Sequence, residues 1–362
     1  MSLIKAIDRF VLSHTQQTGW DTFYLFVRGR KWRHAKRYAR RFLGEDISKR
    51  QILYHSVKMS YAYIRYGWWF DEYFMYHFNR LSHSGRREFV PDIQKEYFCD
   101  KVNAREIHER FANKGVTYRY FSEYYHRDVC PVECWERDEV AFSAFVAKHD
   151  AFIIKPIDGT LGRGVRIIRG ESLAELKHLL DEEYPSGFLA EELIKQHEQL
   201  ATLHPESVNT IRITTLRKGD NVYVAPPFIR MGRGNEVVDN AAQGGIFAAI
   251  DRETGIVLQA ADEQGNVYIK HPETGVAIVG FRIPEWEKAL ELAKALSRVV
   301  PEWYFAGWDL AYTDKGWVMV EANSRGQFVC FQTSTQIGFR KELEKTLGKS
   351  LKAYCKHVKV HQ

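Results

Sequence analysis

Residues 308–323, WDLAYTDKGWVMVEAN, form the pattern that most restricts how this chain can fold. Apolar side chains alternate with others on both sides of a Thr-Asp-Lys-Gly segment, which is typical of a β-hairpin. A three-residue loop that ends at Gly316 would place Thr313 opposite Trp317 and fix the register of both strands. One face is then predicted to join a hydrophobic core through Trp308, Leu310, Tyr312, Val318, Val320 and Ala322.

The other face of this hairpin carries oxygen-bearing side chains where a sheet usually has Val or Ile. In the same register Asp309 lies opposite Glu321, and Asn323 shares the face of Glu321 because side chains alternate along a strand. Two carboxylates this close repel each other, so one stays protonated unless a cation lies between them. Oxygen ligands suit a hard cation such as Mg²⁺. A solvated polar face is the competing interpretation, and this stretch alone does not decide between them.

A second pattern, AFIIKPIDGTLGRGVRII, places Lys155 at the end of an apolar strand, before a glycine-rich loop. Glycines let the backbone approach an anion closely, and their N–H groups can bind phosphate. Val165 and Arg166 stand where a Walker A loop needs Lys and Ser or Thr. A strand follows the loop, whereas a Rossmann loop is followed by a helix. The pattern predicts a hairpin lid over phosphates, with a flexible surface hairpin as the alternative.

A third and weaker pattern is the apolar strand FLAEELI, which is followed by KQHE. The end of this strand, Glu191 to Ile194, could offer backbone groups to an adenine edge, and Glu198 could accept from ribose hydroxyls. Charged residues at a strand end are more often solvated, so this pattern has little weight by itself.

The chain divides by composition into a helical part and an α+β part. Residues 1–98 are rich in Arg, Tyr, Phe and Trp, and predict helices that break near Gly67. Strands and helices alternate from residue 99 onward. They include a helix with Ser172 as N-cap and Glu175 closing a capping box. The sequence therefore predicts an α+β fold behind a helical N-terminal domain.

Positive charge is concentrated at the start of the chain. Residues 1–41 contain ten Lys or Arg and two Asp or Glu, whereas the whole chain carries a net charge of +6. Cations interleaved with aromatic residues favour contact with an anionic membrane surface. An acidic glycan and a solvated helix face are the alternatives. Nucleic acid is not a predicted partner, because no nucleic-acid-binding motif accompanies the charge.

Several other classes of protein do not fit the sequence. The five cysteines lack zinc spacing, and no secretory leader or run of about 18 apolar residues occurs. We therefore expect a cytoplasmic protein with reduced thiols, peripheral to the inner face of the membrane at most. No serine-nucleophile elbow, zinc-binding His pair or Cys/His arrangement indicates a competing chemistry.

The three patterns, in this order, resemble the ATP-grasp superfamily over about residues 99–347. D-alanine–D-alanine ligases and ribosomal-protein glutamate ligases carry Asp on one strand and Glu-x-Asn on the next, which hold Mg²⁺ under the ATP phosphates. Asp309, Glu321 and Asn323 reproduce that spacing. The resemblance implies an ATP-grasp fold, with a first lobe at 99–195 and a second lobe, including the C-terminal helix, at 196–362.

The resemblance also implies roles for individual residues. Lys155 and Lys101 would contact phosphates, and the Asp-Lys pair at 100–101 would open the grasp, with Gly115-Val116 after its first helix. The implied nucleotide-binding residues are Lys101, Lys155, Gly159, Thr160, Gly162, Gly164, Glu191, Glu192, Leu193, Ile194 and Glu198. The implied substrate residues are Asn209, Asn240, Gly244 and Gly245, and the implied catalytic arginines are Arg212, Arg230 and Arg325.

One position departs from the D-alanine–D-alanine ligases. Those enzymes place an arginine two residues before the metal aspartate, where it holds the developing oxyanion, but this chain has Gly307 there. We expect Arg230 or Arg325 to take that role.

A narrower resemblance rests on WFDEYF at 69–74, HPESVNTIRI and KHPETG, which are similar to the ATP-grasp proteins associated with sugar transfer. It implies a carboxylate–amine ligase that uses ATP and one or two Mg²⁺ ions and forms an amide through an acyl phosphate. The implied setting is modification of a glycan or its precursor, with an amino acid or uronic acid as substrate and either a sugar-linked or a free amine as acceptor. A kinase that phosphorylates a sugar or small molecule, and a non-catalytic nucleotide-binding module of a glycan-assembly complex, remain alternatives.

Overall fold

The computed structural model describes residues 30–158, 164–234 and 244–354. These residues form two compact units. The helical unit takes its described residues from 1–101, 263–266 and 327–362, and the sheet unit from 102–262 and 267–326. The predicted α+β class with a helical N-terminal region is confirmed.

Helices and strands are numbered in chain order. The helices are α1 (Arg30–Leu43), α2 (Lys49–Tyr66), α3 (Phe70–Met75), α4 (His83–Glu88), α5 (Asp92–Val102), α6 (Arg105–Arg110), α7 (Lys114–Phe121), α8 (Trp135–Lys148), α9 (Leu173–Glu183), α10 (Glu198–Ala201), α11 (Trp286–Val299), α12 (Val329–Thr335) and α13 (Arg340–Leu347). The strands are β1 (Val129–Val132), β2 (Ala151–Pro156), β3 (Arg166–Arg169), β4 (Phe188–Glu192), β5 (Thr210–Lys218), β6 (Asn221–Val224), β7 (Phe228–Met231), β8 (Ile246–Ile250), β9 (Val257–Ala261), β10 (Val267–Tyr268), β11 (Phe305–Thr313) and β12 (Gly316–Asn323).

The helical unit packs around a cluster of aromatic rings. Trp68 is fully buried, and its ring meets those of Tyr76, Phe78 and Phe89 edge-on, with centroids 5.3 to 5.6 Å apart. The predicted break in the helices is confirmed, because α2 ends at Tyr66 and Gly67 adopts a left-handed φ of 80°. Helix α9 likewise begins with the predicted Ser172–Glu175 capping box, since Glu175 accepts from the Ser172 N–H at 2.8 Å.

The C-terminal helices differ from the prediction in the unit that they join. The sequence placed the terminal helix with the second lobe, whereas α12 and α13 belong to the helical unit. The buried Gln332 of α12 explains this attachment. It accepts from the Val90 N–H at 2.7 Å and donates to the Val90 carbonyl at 2.9 Å.

The sheet unit contains two antiparallel sheets. The smaller sheet has the strand order β1-β4-β2-β3, and its core includes Phe142, Phe152 and Phe188. The larger sheet has the order β10-β9-β8-β7-β5-β11-β12, with β6 paired to β5. The apolar face of α11, including Trp286 and Leu296, joins the core cluster of this larger sheet. The two sheets lie in the residue ranges predicted for the two lobes, whose limits stay a prediction.

The β11–β12 hairpin forms with a different turn from the predicted one. Thr313 pairs with Gly316, so the turn has two residues, Asp314 and Lys315, and Tyr312 rather than Thr313 lies opposite Trp317. Gly316 has the expected positive φ, 93°.

A β-bulge cancels this one-residue shift before it reaches the polar face. Leu310 pairs with Met319 and Asp309 pairs with Glu321, which leaves Val320 as the extra residue. The polar pairing of Asp309 and Glu321 is therefore as predicted. Of the two predicted core positions, Val318 is buried at 3% exposure, whereas Val320 is only half-buried. Trp317 and Met319, which were not predicted to be core residues, join the core cluster of the larger sheet.

Asn103 fixes both ends of this hairpin to each other. Its side-chain N–H groups donate to the carbonyls of Phe305 and Ser324 at 2.7 and 3.0 Å, and its oxygen accepts from the N–H groups of Tyr304 and Phe305 at 3.1 and 3.0 Å. One buried amide thus satisfies four backbone groups at the start of β11 and after β12.

None of the helices within the described ranges combines the length and the hydrophobicity needed to cross a lipid bilayer.

We expect Asn103→Ala to lower the free energy of unfolding by about 3 kcal/mol, because buried backbone donors and acceptors lose their partners. Urea denaturation of the full chain measures this change. Asn221→Ala is the matched control, because Asn221 is exposed at the start of β6. Equal stability of the two variants would contradict the role given to Asn103.

Candidate active site

A buried carboxylate lies at the centre of the polar face. Asp309 is 2% exposed and lies directly across from Arg212 of β5. Both of its oxygens accept from Arg212, through Nε and, at 2.8 Å, through Nη2. Arg230 of β7 adds a contact at 3.0 Å from its Nη2 to Asp309 Oδ2. Burial alone would raise the pKa of Asp309, but the two guanidinium groups outweigh burial and hold that pKa below its ordinary value.

Gly307 makes the room that Arg212 needs. A Cβ at position 307 would lie 3.1 Å from Arg212 Cδ and 3.6 Å from Arg212 Nε. Gly307, which stands where the D-alanine–D-alanine ligases have an arginine, therefore packs against Arg212 of the neighbouring strand β5. Arg212 approaches position 307 in this structure, and the role of Arg230 or Arg325 in holding the oxyanion stays a prediction. Arg230, besides its contact with Asp309, donates through Nη2 to the hydroxyl of Thr210 at 2.8 Å.

The negative charge of Glu321 is less closely compensated by cations than that of Asp309. Its side chain keeps 42% of its surface exposed, and the nearest cation is Lys114 Nζ at 3.8 Å. Removal from water raises the pKa of Glu321 above its ordinary value, with Asp309 adding to the rise and Lys114 opposing it. The pKa values of the two carboxylates are thus shifted in opposite directions, that of Asp309 downward by the arginines and that of Glu321 upward mainly by removal from water.

The hairpin face meets the requirements of a magnesium site in its donor chemistry. Asn323 Nδ2 donates to Asp309 Oδ2 at 3.3 Å, so the two proposed ligands already touch. Among the described residues, no group of three or more His, Cys, Asp or Glu side chains is arranged for a metal. Mg²⁺ commonly uses only one or two carboxylates and takes its other oxygens from phosphate and water. Glu321 and Asn323 fit that pattern, whereas Asp309 would have to share its oxygens with Arg212.

Lys155 lies close to a second buried carboxylate. Its Nζ is 2.8 Å from Oε1 of Glu191, whose side chain is 2% exposed. Glu191 also accepts from Arg127, at 3.0 Å from Nε and 2.5 Å from Nη2. Burial would raise the pKa of Glu191, but Lys155 and Arg127 outweigh it and lower that pKa. The side chain of Glu191 is therefore an ion-pair partner of the lysine, in addition to any role of its backbone.

Arg127 was not predicted, yet it links β4 to the bulge in β12. Besides Glu191, it donates through Nη1 to the Met319 carbonyl at 2.7 Å and through Nη2 to the Val320 carbonyl at 3.5 Å. These carbonyls flank the extra residue of the bulge, immediately before Glu321. Arg127 therefore holds the backbone that aims Glu321. Such a contact has no periodic sequence signal, because its partners are 64 and 192 residues away.

Lys114 is a second residue that the sequence analysis missed. It begins α7 behind the N-cap Asn113, whose side chain accepts from the Val116 N–H. Burial lowers the pKa of Lys114, Lys155 lowers it further, and Glu321 and Glu191 oppose that shift. Gly115 and Val116 follow α6, as predicted, and they also lie in the first turn of the next helix, α7. The Asn N-cap was the available signal.

Lys101, the lysine that the sequence favoured, is exposed on α5 and belongs to the helical unit. Within the sheet unit, Lys114 lies in the group formed by Lys155, Glu191 and Glu321, and the phosphate contact of Lys101 stays a prediction.

The remaining predicted nucleotide residues lie at the end of β4. Glu192 ends the strand and accepts from the Asp128 N–H at 3.0 Å, while Leu193 and Ile194 are half-buried beyond it. Glu198 is exposed at the start of α10. Gly164 has a φ of 71°, and its carbonyl accepts from Tyr184 at 2.6 Å.

The last predicted residues fall near β8, after β12, or outside the described ranges. Gly244 and the buried Gly245 precede β8, and Arg325 is half-buried in the turn after β12. The residues outside the described ranges are Gly159, Thr160, Gly162 and Asn240.

Asn209 requires a correction. It was predicted to contact substrate, but its side chain is fully buried. Its Nδ2 donates to the carbonyls of Leu200 and His204 at 2.9 Å and to Gln196 Oε1 at 3.0 Å. Asn209 therefore holds the segment between β4 and β5 in place. Polar residues that precede a strand look alike in sequence whether they face substrate or the chain itself.

Comparison with known proteins identifies the family. A model of the sugar-transfer associated ATP-grasp family matches residues 93–347, which is more than half of the chain. The chain therefore belongs to that family, and its fold is an ATP-grasp fold. No protein of curated function matches.

Three solved structures illustrate the similarity. N5-carboxyaminoimidazole synthetase of Staphylococcus aureus, in complex with ADP, has 12% identity and a TM-score of 0.40, covering 67% of this chain and 53% of its own. D-alanyl-alanine synthetase A of Vibrio cholerae has 10% identity and a TM-score of 0.40, covering 68% and 63%. D-alanine–D-alanine ligase of Bacillus anthracis has 14% and 0.39, covering 68% and 69%. The chain spans about half the length of the first synthetases that it matches.

We expect Arg127→Met to lower the free energy of unfolding by about 3 to 5 kcal/mol, because Glu191 keeps its charge in a buried position with one cation fewer. Urea denaturation measures the change. The double variant Arg127→Met/Glu191→Gln should recover at least half of the loss, since it removes the uncompensated charge. A single variant as stable as the parent protein would show that Arg127 does not neutralise Glu191.

Proposed function

We propose that this member of the sugar-transfer associated ATP-grasp family is an ATP-dependent carboxylate–amine ligase. One observation carries the proposal: Lys114 contacts the partly exposed carboxylate of Glu321 on the polar face of the β11–β12 hairpin, and the charge of Lys155, which pairs with Glu191, also acts on Glu321. Cations for phosphate oxygens and oxygen ligands for a metal are therefore adjacent in one compact unit.

The lysines are suited to bind the phosphates of ATP. In the structure their charges are met by protein carboxylates, Lys155 by Glu191 at 2.8 Å and Lys114 by Glu321 at 3.8 Å. The longer and more exposed Lys114–Glu321 contact is the weaker of these two ion pairs. The backbone of Glu191 to Ile194 is proposed to bind adenine, Glu198 the ribose, and Gly159 to Gly164 the phosphates as a lid.

Mg²⁺ is the proposed cofactor, and Glu321 and Asn323 would hold it, with Asp309 at its side. A divalent cation in this position supplies charge neutralisation for the phosphate oxygens during phosphoryl transfer. Both oxygens of Asp309 are engaged by Arg212, and Arg230 contacts one of them, so Asp309 would share its oxygens between these arginines and the metal.

The reaction proceeds in two steps. A carboxylate oxygen of the substrate attacks the γ-phosphorus of ATP, ADP leaves, and an acyl phosphate forms. The nitrogen of an amine then attacks the acyl carbon, the C–O bond to phosphate breaks, and the nitrogen loses a proton to give the amide. Arg212 and Arg230 are proposed to neutralise the negative charge that develops on the transferred phosphoryl group and on the tetrahedral carbon. Arg325, Gly244 and Gly245, with Asn240 from outside the described ranges, are proposed to lie near the acceptor.

The substrates are proposed to belong to glycan or polysaccharide assembly. The description of the family supports this setting, because it associates the fold with sugar transfer. A sugar uronate joined to an amino acid, or an amino acid joined to an amino sugar, would each supply the carboxylate and the amine. A cytoplasmic location at the inner membrane face, with residues 1–41 in contact with anionic lipid, completes the proposal.

An ADP-release screen tests the proposed activity. Amino acids and uronic acids are offered with Mg²⁺ and ATP, with and without amines, and products are identified by mass spectrometry. Hydroxylamine traps an acyl phosphate as a hydroxamate, so a hydroxamate supports the ligase. A phosphorylated product that survives hydroxylamine would establish a kinase instead. Nucleotide binding without turnover across the panel would indicate a non-catalytic module.

We expect Glu321→Ala to lower ATP turnover at least about 100-fold, because the proposed metal loses its most accessible carboxylate. The unfolding midpoint should change little, since this side chain is partly exposed. Steady-state ADP release measures the effect, with Glu253→Ala at an exposed site as control. Turnover that survives the substitution would remove Glu321 from the metal site.

We expect Lys114→Met to weaken ADP binding about tenfold or more, because a cation beside the phosphate site is lost. Lys101→Met is the matched control and should leave the affinity within about twofold. Isothermal titration calorimetry measures both. The reverse order of effects would return the second phosphate contact to Lys101, as the sequence first indicated.

A further inference from the structure

We propose that the outer face of α2 docks the helical unit onto an anionic lipid surface. The α2 outer face is defined here as Arg50, Leu53, Tyr54, Val57, Lys58, Tyr61 and Arg65. This surface is independent of the proposed catalytic function, and it adds a helix that the structure describes, α2, to the membrane contact proposed for residues 1–41.

The α2 outer face is apolar although the core side of the same helix is already buried. Ile52, Met59, Ala62, Tyr63 and Tyr66 face inward. On the opposite side Leu53, Tyr54, Val57 and Tyr61 are between 48% and 54% exposed. These positions recur at helical spacing, so they form one stripe along the 18-residue helix. A stripe of this kind marks an interaction surface, whereas single exposed apolar residues do not.

The positive charge of helices α1 and α2 indicates an anionic partner. Helices α1 and α2 pack together and contain eleven Lys or Arg but no Asp or Glu. On the α2 outer face itself, Arg50, Lys58 and Arg65 accompany the apolar stripe, and Lys58 Nζ lies 5.1 Å from the centre of the Tyr54 ring. Cations beside apolar and tyrosine side chains match the boundary between anionic headgroups and acyl chains.

Two other occupants fit the α2 outer face less well. A second copy of the chain would bring the same cations against each other, which opposes a symmetric contact. An acidic glycan would satisfy the charges, but Leu53 and Val57 offer no hydrogen bond to sugar hydroxyls. A lipid surface uses both the charges and the apolar side chains, and each Lys or Arg near such a surface contributes to binding.

Vesicle flotation of the full chain tests the proposal. The probes are phosphatidylcholine vesicles with about 30% phosphatidylserine and vesicles of phosphatidylcholine alone. We expect binding to the anionic vesicles, which weakens as salt is added. Leu53→Ser/Val57→Ser and Arg50→Glu/Arg65→Glu should each lower the partition coefficient about tenfold or more, without a change in the unfolding midpoint.

Matched controls come from exposed positions elsewhere. Val140 and Ile269 are 82% and 69% exposed, so Val140→Ser/Ile269→Ser removes as much exposed apolar surface. Lys218→Glu/Lys270→Glu reverses as many exposed charges. Both controls should partition like the parent chain. Failure of the full chain to float overturns the proposal, as does binding that the α2 variants leave unchanged.

The remaining outcomes identify a different occupant and likewise overturn the proposal. A parent chain that dimerises in light scattering, and becomes monomeric in Leu53→Ser/Val57→Ser, would assign the α2 outer face to a second copy. Loss of flotation on removal of residues 1–29, with no effect of the α2 variants, would assign the lipid contact to that segment. Neither outcome depends on ATP turnover, so both are distinct from failure of the proposed ligase.

Discussion

The ion pair between Asp309 and Arg212 is the interaction on which the sheet unit depends. It joins β11 to β5 at directly opposed positions, and Arg230 extends it to β7. A carboxylate buried to this degree without a cation would be strongly destabilising, so these strands must assemble in this register or expose the charge. The same contact keeps two guanidinium groups beside Glu321 and Asn323. The ion pair of Asp309 with the two arginines therefore both stabilises the sheet and sets the charge of the proposed active site.

The parts of the site that could be predicted are those that follow from local sequence patterns. Strand alternation and the position of Gly316 were sufficient to predict a hairpin whose polar face holds Asp309, Glu321 and Asn323. The position of Lys155 at the end of an apolar strand and the capping box of α9 are also local patterns, and the structure contains both. Each depends on residues that are close in sequence, where periodicity and capping rules apply.

The parts that were not predictable depend on distant contacts. Arg127 meets Glu191 and the β12 backbone across 64 and 192 residues, and no local rule gives such a pairing. Lys114 was passed over because Lys101 offered a family-like Asp-Lys pair. The buried amide of Asn209 was assigned to substrate because sequence does not reveal which way a side chain turns. The register error at Thr313 left the pairing of Asp309 with Glu321 unchanged only because a bulge, itself invisible in sequence, compensated for it.

That bulge separates the tip of the hairpin from its polar face. Because Val320 absorbs one residue between the turn and the polar face, the register of the tip does not set the register of the acidic pair. A change in the length of the Asp314–Lys315 tip can therefore be taken up at the bulge, and the pairing of Asp309 with Glu321 stays the same. The tip of the hairpin can thus change while Arg127, through the Met319 and Val320 carbonyls, holds the backbone before Glu321 in place.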